Sequence, residues 1–216
     1  MIELIAKDVQ KQIKGNVVLN NIKLELYGGT TYGFIGRNGS GKTMLFRTLA
    51  GLIYPTKGAI FYNGKQLHKD ISCLPKLGII IENIGLYPEF TGLQNLKFLA
   101  KINNLISEKE IKEAILRVGL DPEDKRSFKK YSLGMKQRII LAQAIMEKPD
   151  VIMLDEPTNA LDENGIDLIR EIINEEKERG ALILVASHNK EDIDLLCQKV
   201  YILQNGNINE KVEVFT

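Results

Sequence analysis

Thr31-Tyr32-Gly33-Phe34-Ile35-Gly36-Arg37-Asn38-Gly39-Ser40-Gly41-Lys42-Thr43 decides the fold of this 216-residue chain. A short apolar run that reads as a buried strand leads straight into Gly36–Thr43, which fits GxxxxGK[ST]. Leu45, Phe46 and Leu49 then fall on one side of a helix. Glycines let backbone N–H groups curl around phosphate oxygens, and the N-terminus of the following helix adds positive potential. On this reading Gly36, Arg37, Asn38, Gly39, Ser40 and Gly41 cradle phosphates and Lys42 reaches the β- and γ-phosphates of a nucleotide. The Thr43 hydroxyl is placed to ligate Mg²⁺.

Downstream, Val151-Ile152-Met153-Leu154-Asp155-Glu156 is an apolar strand ending in two acids. Beside a phosphate loop, Asp155 would help hold Mg²⁺ and Glu156 would polarise an attacking water as general base. Adjacent acids at a strand end are often only solvated; the upstream loop gives these a function. Ala181–Val185 is a further apolar strand, and His188 follows it where a ring can orient a γ-phosphate and a water. His68 lies among Gln66, Lys69 and Asp70 and reads as a surface residue.

Between these strands, Ile166, Ile169, Ile172 and Ile173 recur at helical spacing, and Gly180 is placed to end that helix. Alternating strands and helices predict an α/β fold with a mainly parallel sheet around the phosphate loop. Asn63-Gly64 and Asn205-Gly206 each follow an apolar run and predict type I′ hairpins, hence an antiparallel β addition. Residues from about 88 to 148 are mostly helical, an insertion in a single domain. Ser107 with Glu110 forms a capping box there, Gly119 closes that helix, and another begins near Ser132 and stops before Pro149.

Hydrophobic and charged fractions of 44% and 26% are those of a soluble globular protein, and a net charge of +1 gives no reason to expect nucleic acid as a partner. Cys73 and Cys197 lie outside any metal-ligand spacing and read as reduced thiols. The start of the chain has no signal-peptide pattern, and its apolar runs fall short of the roughly 18 residues that cross a bilayer. The expected location is cytoplasmic.

Ser132-Leu133-Gly134-Met135-Lys136-Gln137-Arg138 resembles the signature motif of ABC ATPases, Asn159-Ala160-Leu161-Asp162 their D-loop, and His188 their switch histidine. The resemblance covers essentially the whole chain, with the motifs in the family's order. It implies an ATP-hydrolysing transporter subunit, peripheral on the inner face of the membrane through permease subunits. It also implies a head-to-tail homodimer or heterodimer, each ATP lying between one phosphate loop and the other chain's Ser132, Gly134 and Asp162. Ser132 can cap its helix while N–H groups near Gly134 point at a γ-phosphate.

Three features depart from the family pattern. Leu133 and Met135 replace a glycine and a glutamine. Glu82 stands where a glutamine senses Mg²⁺ and the membrane subunit, and Ile13 stands where an aromatic stacks on adenine. The first two departures recur together in the bacitracin-resistance and lantibiotic-immunity branch of exporters, which this chain resembles. Two other readings compete with this one. Asn189-Lys190-Glu191-Asp192 fits the guanine-reading NKxD pattern, yet Asp155-Glu156-Pro157-Thr158 lacks the glycine of DxxG, so the tetrad reads as a helix start. The alternative within the family is a single-cassette ATPase of a non-transport assembly system.

Overall fold

The structure is a computed structural model that describes residues 1–81 and 85–213, with the side chains of 210–213 left aside. Glu82 lies outside the described residues. The chain opens on a long hairpin, β1 (Glu3–Ile13) and β2 (Asn16–Tyr27), followed by β3 (Thr30–Ile35) and α1 (Lys42–Leu49). Next come β4 (Lys57–Tyr62), β5 (Lys65–Gln66) and β6 (Leu77–Ile80). Three helices follow: α2 (Gly92–Asn103), α3 (Glu108–Arg117) and α4 (Leu133–Ile145), with a 3₁₀ turn at Phe128–Lys130. The last third is β7 (Val151–Asp155), α5 (Glu163–Glu178), β8 (Leu182–Ser187), α6 (Lys190–Leu196), β9 (Lys199–Gln204) and β10 (Asn207–Glu213).

Two sheets result. One is antiparallel, in the order β2-β1-β4-β5; the other runs β10-β9-β3-β8-β7-β6, with every neighbour parallel except β10. The parallel sheet is buried on both faces, and the twofold alternation of its strands divides the core. Ile152, Leu154, Ile183 and Val185 face the layer built from α4, α5 and the other helices around it. Val151, Met153, Leu182, Leu184 and Phe34 face α1 and the antiparallel sheet. A charged residue in either set would be stranded without water, so these runs are apolar throughout.

Both Asn-Gly pairs form the expected turns, with φ of 48° and 77° at Asn63 and Gly64 and 49° and 74° at Asn205 and Gly206. Ser107 and Glu110 form the expected capping box, and Gly119 follows α3 at φ 69°. Asn189 caps α6 by accepting from the Glu191 N–H, with acids in the first turn. His68 is less exposed than expected: its ring stacks on Tyr54 at 3.8 Å. Cys73 and Cys197 are unbridged, the first exposed and the second buried.

The inserted helices are tied to the parallel core through one buried acid. Glu176 of α5, 3% exposed, accepts from Arg117 of α3 at 2.9 Å and from Arg179 at 2.8 Å. Arg179 also donates to the Pro149 carbonyl that precedes β7. Glu176→Ala should therefore lower unfolding free energy by about 2–3 kcal/mol, at the low end for a broken buried pair because both guanidiniums reach solvent. Denaturant unfolding of the two proteins checks this, and a loss under about 1 kcal/mol would show that the network is not what holds α3.

Candidate functional site

The phosphate loop leaves β3 at Ile35, and its first glycine has no room for a side chain. A Cβ on Gly36 would lie 2.4 Å from the Leu203 carbonyl oxygen and 2.5 Å from Ser40 Oγ. The loop is braced from outside by the β9–β10 hairpin. The Gly206 N–H donates to the Ser40 carbonyl at 2.9 Å, and the Asn20 N–H of β2 donates to the Gly206 carbonyl at 2.8 Å. Within the loop Ser40 N–H donates to the Arg37 carbonyl, while the N–H groups of Asn38, Gly39 and Gly41 donate to no acceptor among the described residues. The Ser40 hydroxyl is likewise buried without a partner. Convergent free donors at the start of α1 are what an anionic group requires.

Lys42 is only 6% exposed and folds back over the loop, donating to the Gly36 carbonyl at 2.6 Å. Its Nζ lies 3.8 Å from Glu156 Oε1. Thr43 Oγ1 donates to Asp155 Oδ2 at 2.5 Å, so the hydroxyl and carboxylate expected to share a metal already touch. Glu156 stands just beyond β7 at φ 52°, a left-handed backbone that a non-glycine residue rarely adopts and that costs on the order of 1 kcal/mol or more. Its N–H is anchored on the Ala186 carbonyl at 2.8 Å. Its Oε1 receives the His188 N–H at 3.0 Å and lies 2.9 Å from His188 Nδ1; its Oε2 receives the Ser187 hydroxyl at 3.1 Å. β8 lies between β3 and β7, which brings these strand ends to one edge of the sheet.

Lys42, Thr43, Asp155 and Glu156 line a cleft of about 970 Å³ whose far wall is Phe128, Leu133, Lys136, Gln137 and Ile140. Gln137 Nε2 donates to the Pro157 carbonyl at 3.1 Å, joining α4 to the turn after Glu156. Ser132 caps α4 by accepting from the Met135 N–H at 3.2 Å. Asp162 caps α5 by accepting from the Gly165 N–H at 3.0 Å, with Arg138 3.7 Å away. Ser132, Gly134 and Asp162 do not line their own chain's cleft. Nor does Ile13, which ends β1 opposite Asn16 and is 37% exposed; Val17 and Val18 line the cleft beside Asn205 and Gly206 instead.

Three contributions to the site carry no catalytic motif in the sequence. Val17 and Val18 follow the first hairpin turn, Gly206 braces the loop from far along the chain, and Ser187 bonds the second acid. Only the Asn205-Gly206 turn left a local signal, and that signal spoke of a hairpin and not of a loop brace.

The sequence pattern of the family described as ABC transporter matches residues 19–159. Over 214 residues the chain is 48% identical to the Bacillus subtilis ABC transporter ATP-binding protein YybJ, covering 99% of this chain and 97% of that one. It is 37% identical over 210 residues to the bacitracin transport ATP-binding protein BcrA of Enterococcus faecalis, with 96% and 68% covered. It is 35% identical over 202 residues to the lantibiotic transport ATP-binding protein SrtF of Streptococcus pyogenes, with 94% and 87% covered. The last two are of the branch expected from Leu133, Met135 and Glu82. Among solved structures, an ATP-binding subunit of an ABC transporter superposes at a TM-score of 0.86 with 28% identity, over 98% of this chain and 90% of the other. A dimeric bacterial ABC transporter cassette, 23% identical, superposes at 0.87 over the full length of both and attests the fold alone. With the phosphate loop, the paired acids and the capped α4 all in the expected frame, the chain belongs to the ABC transporter family, as one of its ATP-binding subunits.

Proposed function

We propose that this subunit hydrolyses ATP as half of a head-to-tail pair and so drives a membrane-spanning exporter of a peptide antibiotic or similar amphiphile. The observation that carries the reading is the arrangement of Lys42, Thr43, Asp155 and Glu156 at the mouth of a loop with free N–H donors. The loop N–H groups and Lys42 bind the phosphates, with Arg37 and Ser40 completing the loop. Thr43 Oγ1 and Asp155 would hold Mg²⁺, which when bound neutralises phosphate charge; Glu82 is proposed as a further contributor. Glu156 takes a proton from water as the water oxygen bonds to the terminal phosphorus, the bond to the bridging oxygen breaks, and ADP and phosphate leave. The His188 ring, against Glu156, orients the water and the terminal phosphate.

Val17 and Val18, which line the cleft, offer the base apolar cover without an aromatic face, with Ile13 at the adjoining end of β1. Affinity then rests chiefly on the triphosphate. Ser132, Gly134 and Asp162 serve the partner's nucleotide, which is supported by their lying outside their own cleft. No helix among the described residues is long and apolar enough to cross a membrane; on this reading the membrane path belongs to permease subunits. Tyr87, Phe90 and Phe98, exposed and packed ring to ring at 5.1 and 5.2 Å, give the helical insertion an apolar surface suited to docking them. The bacitracin and lantibiotic transport relatives support the class of cargo.

Hydrolysis measured against protein concentration tests the reading. Turnover per chain should be Mg²⁺-dependent and should fall steeply on dilution, as pairs dissociate. A rate per chain constant over a hundredfold dilution down to nanomolar protein would overturn the paired site.

A further inference from the structure

Ser187 ends β8, the strand between the phosphate-loop strand and the acidic strand, and it is fully buried. Its hydroxyl stands between two partners at equal distance. The Asn189 N–H donates to Oγ at 3.1 Å, and Oγ lies 3.1 Å from Glu156 Oε2. A hydroxyl carries one proton. With the backbone N–H on one lone pair, that proton is directed at the carboxylate. Ser187 is fixed as well by its backbone: its carbonyl accepts from the Gly36 N–H at 3.4 Å, and it pairs with Ile35 in the parallel register.

The contacts of the other carboxylate oxygen are of a different kind. Oε1 meets the His188 N–H and ring and faces Lys42, whose charge a triphosphate will draw away. Oε2 is held by a buried group that is anchored on both sides. From this contrast we infer that Ser187 is a positioning residue for hydrolysis: it fixes the plane of the Glu156 carboxylate without touching the nucleotide. The inference rests on the reading of Glu156 as general base. Fixing one oxygen of a base matters because displacement by about 1 Å can cost about a hundredfold in rate.

The test is steady-state hydrolysis by the full chain at a protein concentration that favours pairs, with ADP binding measured by calorimetry. Ser187→Ala should lower kcat about ten- to a hundredfold while KM and ADP affinity change less than about twofold. Ser187→Thr, which keeps the hydroxyl, should restore most of kcat. In a Glu156→Gln background Ser187→Ala should add less than about a twofold loss, because the two residues act as a unit. Should Ser187→Ala lose its fold, Ser187→Cys, with nearly the same shape and a weaker donor, carries the same expectation. A Ser187→Ala enzyme at the wild-type kcat beside a slow Glu156→Gln overturns the inference alone, as does a loss that multiplies in full onto Glu156→Gln. Wild-type turnover by Glu156→Gln overturns the general-base reading and this inference with it.

Discussion

Glu156→Gln is expected to bind nucleotide as well as the wild type and to hydrolyse it about a hundredfold more slowly or worse. An amide cannot accept the water's proton at neutral pH, yet it fills the same space, and its single oxygen can still accept from either the His188 N–H or the Ser187 hydroxyl while its NH2 faces the other. It also removes the negative charge 3.8 Å from Lys42, so a triphosphate no longer competes with a carboxylate for that ammonium. Loss of turnover with retained or tighter binding should therefore leave ATP-bound pairs that separate slowly, visible by size-exclusion chromatography with ATP and Mg²⁺. A variant that turns over at the wild-type rate in the assembled transporter would remove Glu156 from the mechanism.

Mixing Lys42→Ala with Ser132→Arg chains should recover activity that neither variant has alone. If each nucleotide lies between one chain's loop and the other's α4, a mixed pair collects both defects in one site and leaves the second intact. Random assortment makes half of the pairs mixed, so independent sites would give about a quarter of wild-type turnover. Ser132→Arg deletes the acceptor for the Met135 N–H, a cap worth roughly 1 kcal/mol, and sets bulk and charge on the face offered to the partner. Its folding should be checked by thermal unfolding before its turnover is interpreted. A mixture that shows only the average of the two variants would mean that each chain completes its own site.

The sequence was most legible where local chemistry dictates structure. The phosphate loop, the apolar strands, both Asn-Gly turns and the Ser107–Glu110 box are each a few residues long, and each has one cheap conformation. The opening hairpin was harder to read because β1 slips register between Ala6 and Val9, and Asp8 sits at φ 51°, which breaks strict alternation. α2 was hidden by Gly92 in its first turn, a buried Asn95 and an exposed Phe98, all contrary to an amphipathic pattern. Its start was nonetheless marked, since Thr91 and Gln94 form a capping box of the same kind as Ser107 and Glu110. In the site, the identities of Lys42, Thr43, Asp155 and Glu156 were readable, and their mutual contacts were not. Those contacts depend on β8 coming between β3 and β7, a matter of strand order that no local pattern encodes.

The brace on the phosphate loop carries a consequence for how the chain is made. Gly206 must reach back to Ser40 and Asn20, and β3 must wait for β8 and β9 on either side. A ribosome adding about 5–20 residues per second emits the loop on the order of ten seconds before the turn that holds it. During that interval the edges of β3 lack β8 and β9, Phe34 lacks Tyr201, and the loop lacks its outer brace. Nucleotide would therefore assist only a late stage of folding, once the Asn205-Gly206 turn has been made and can close on the loop.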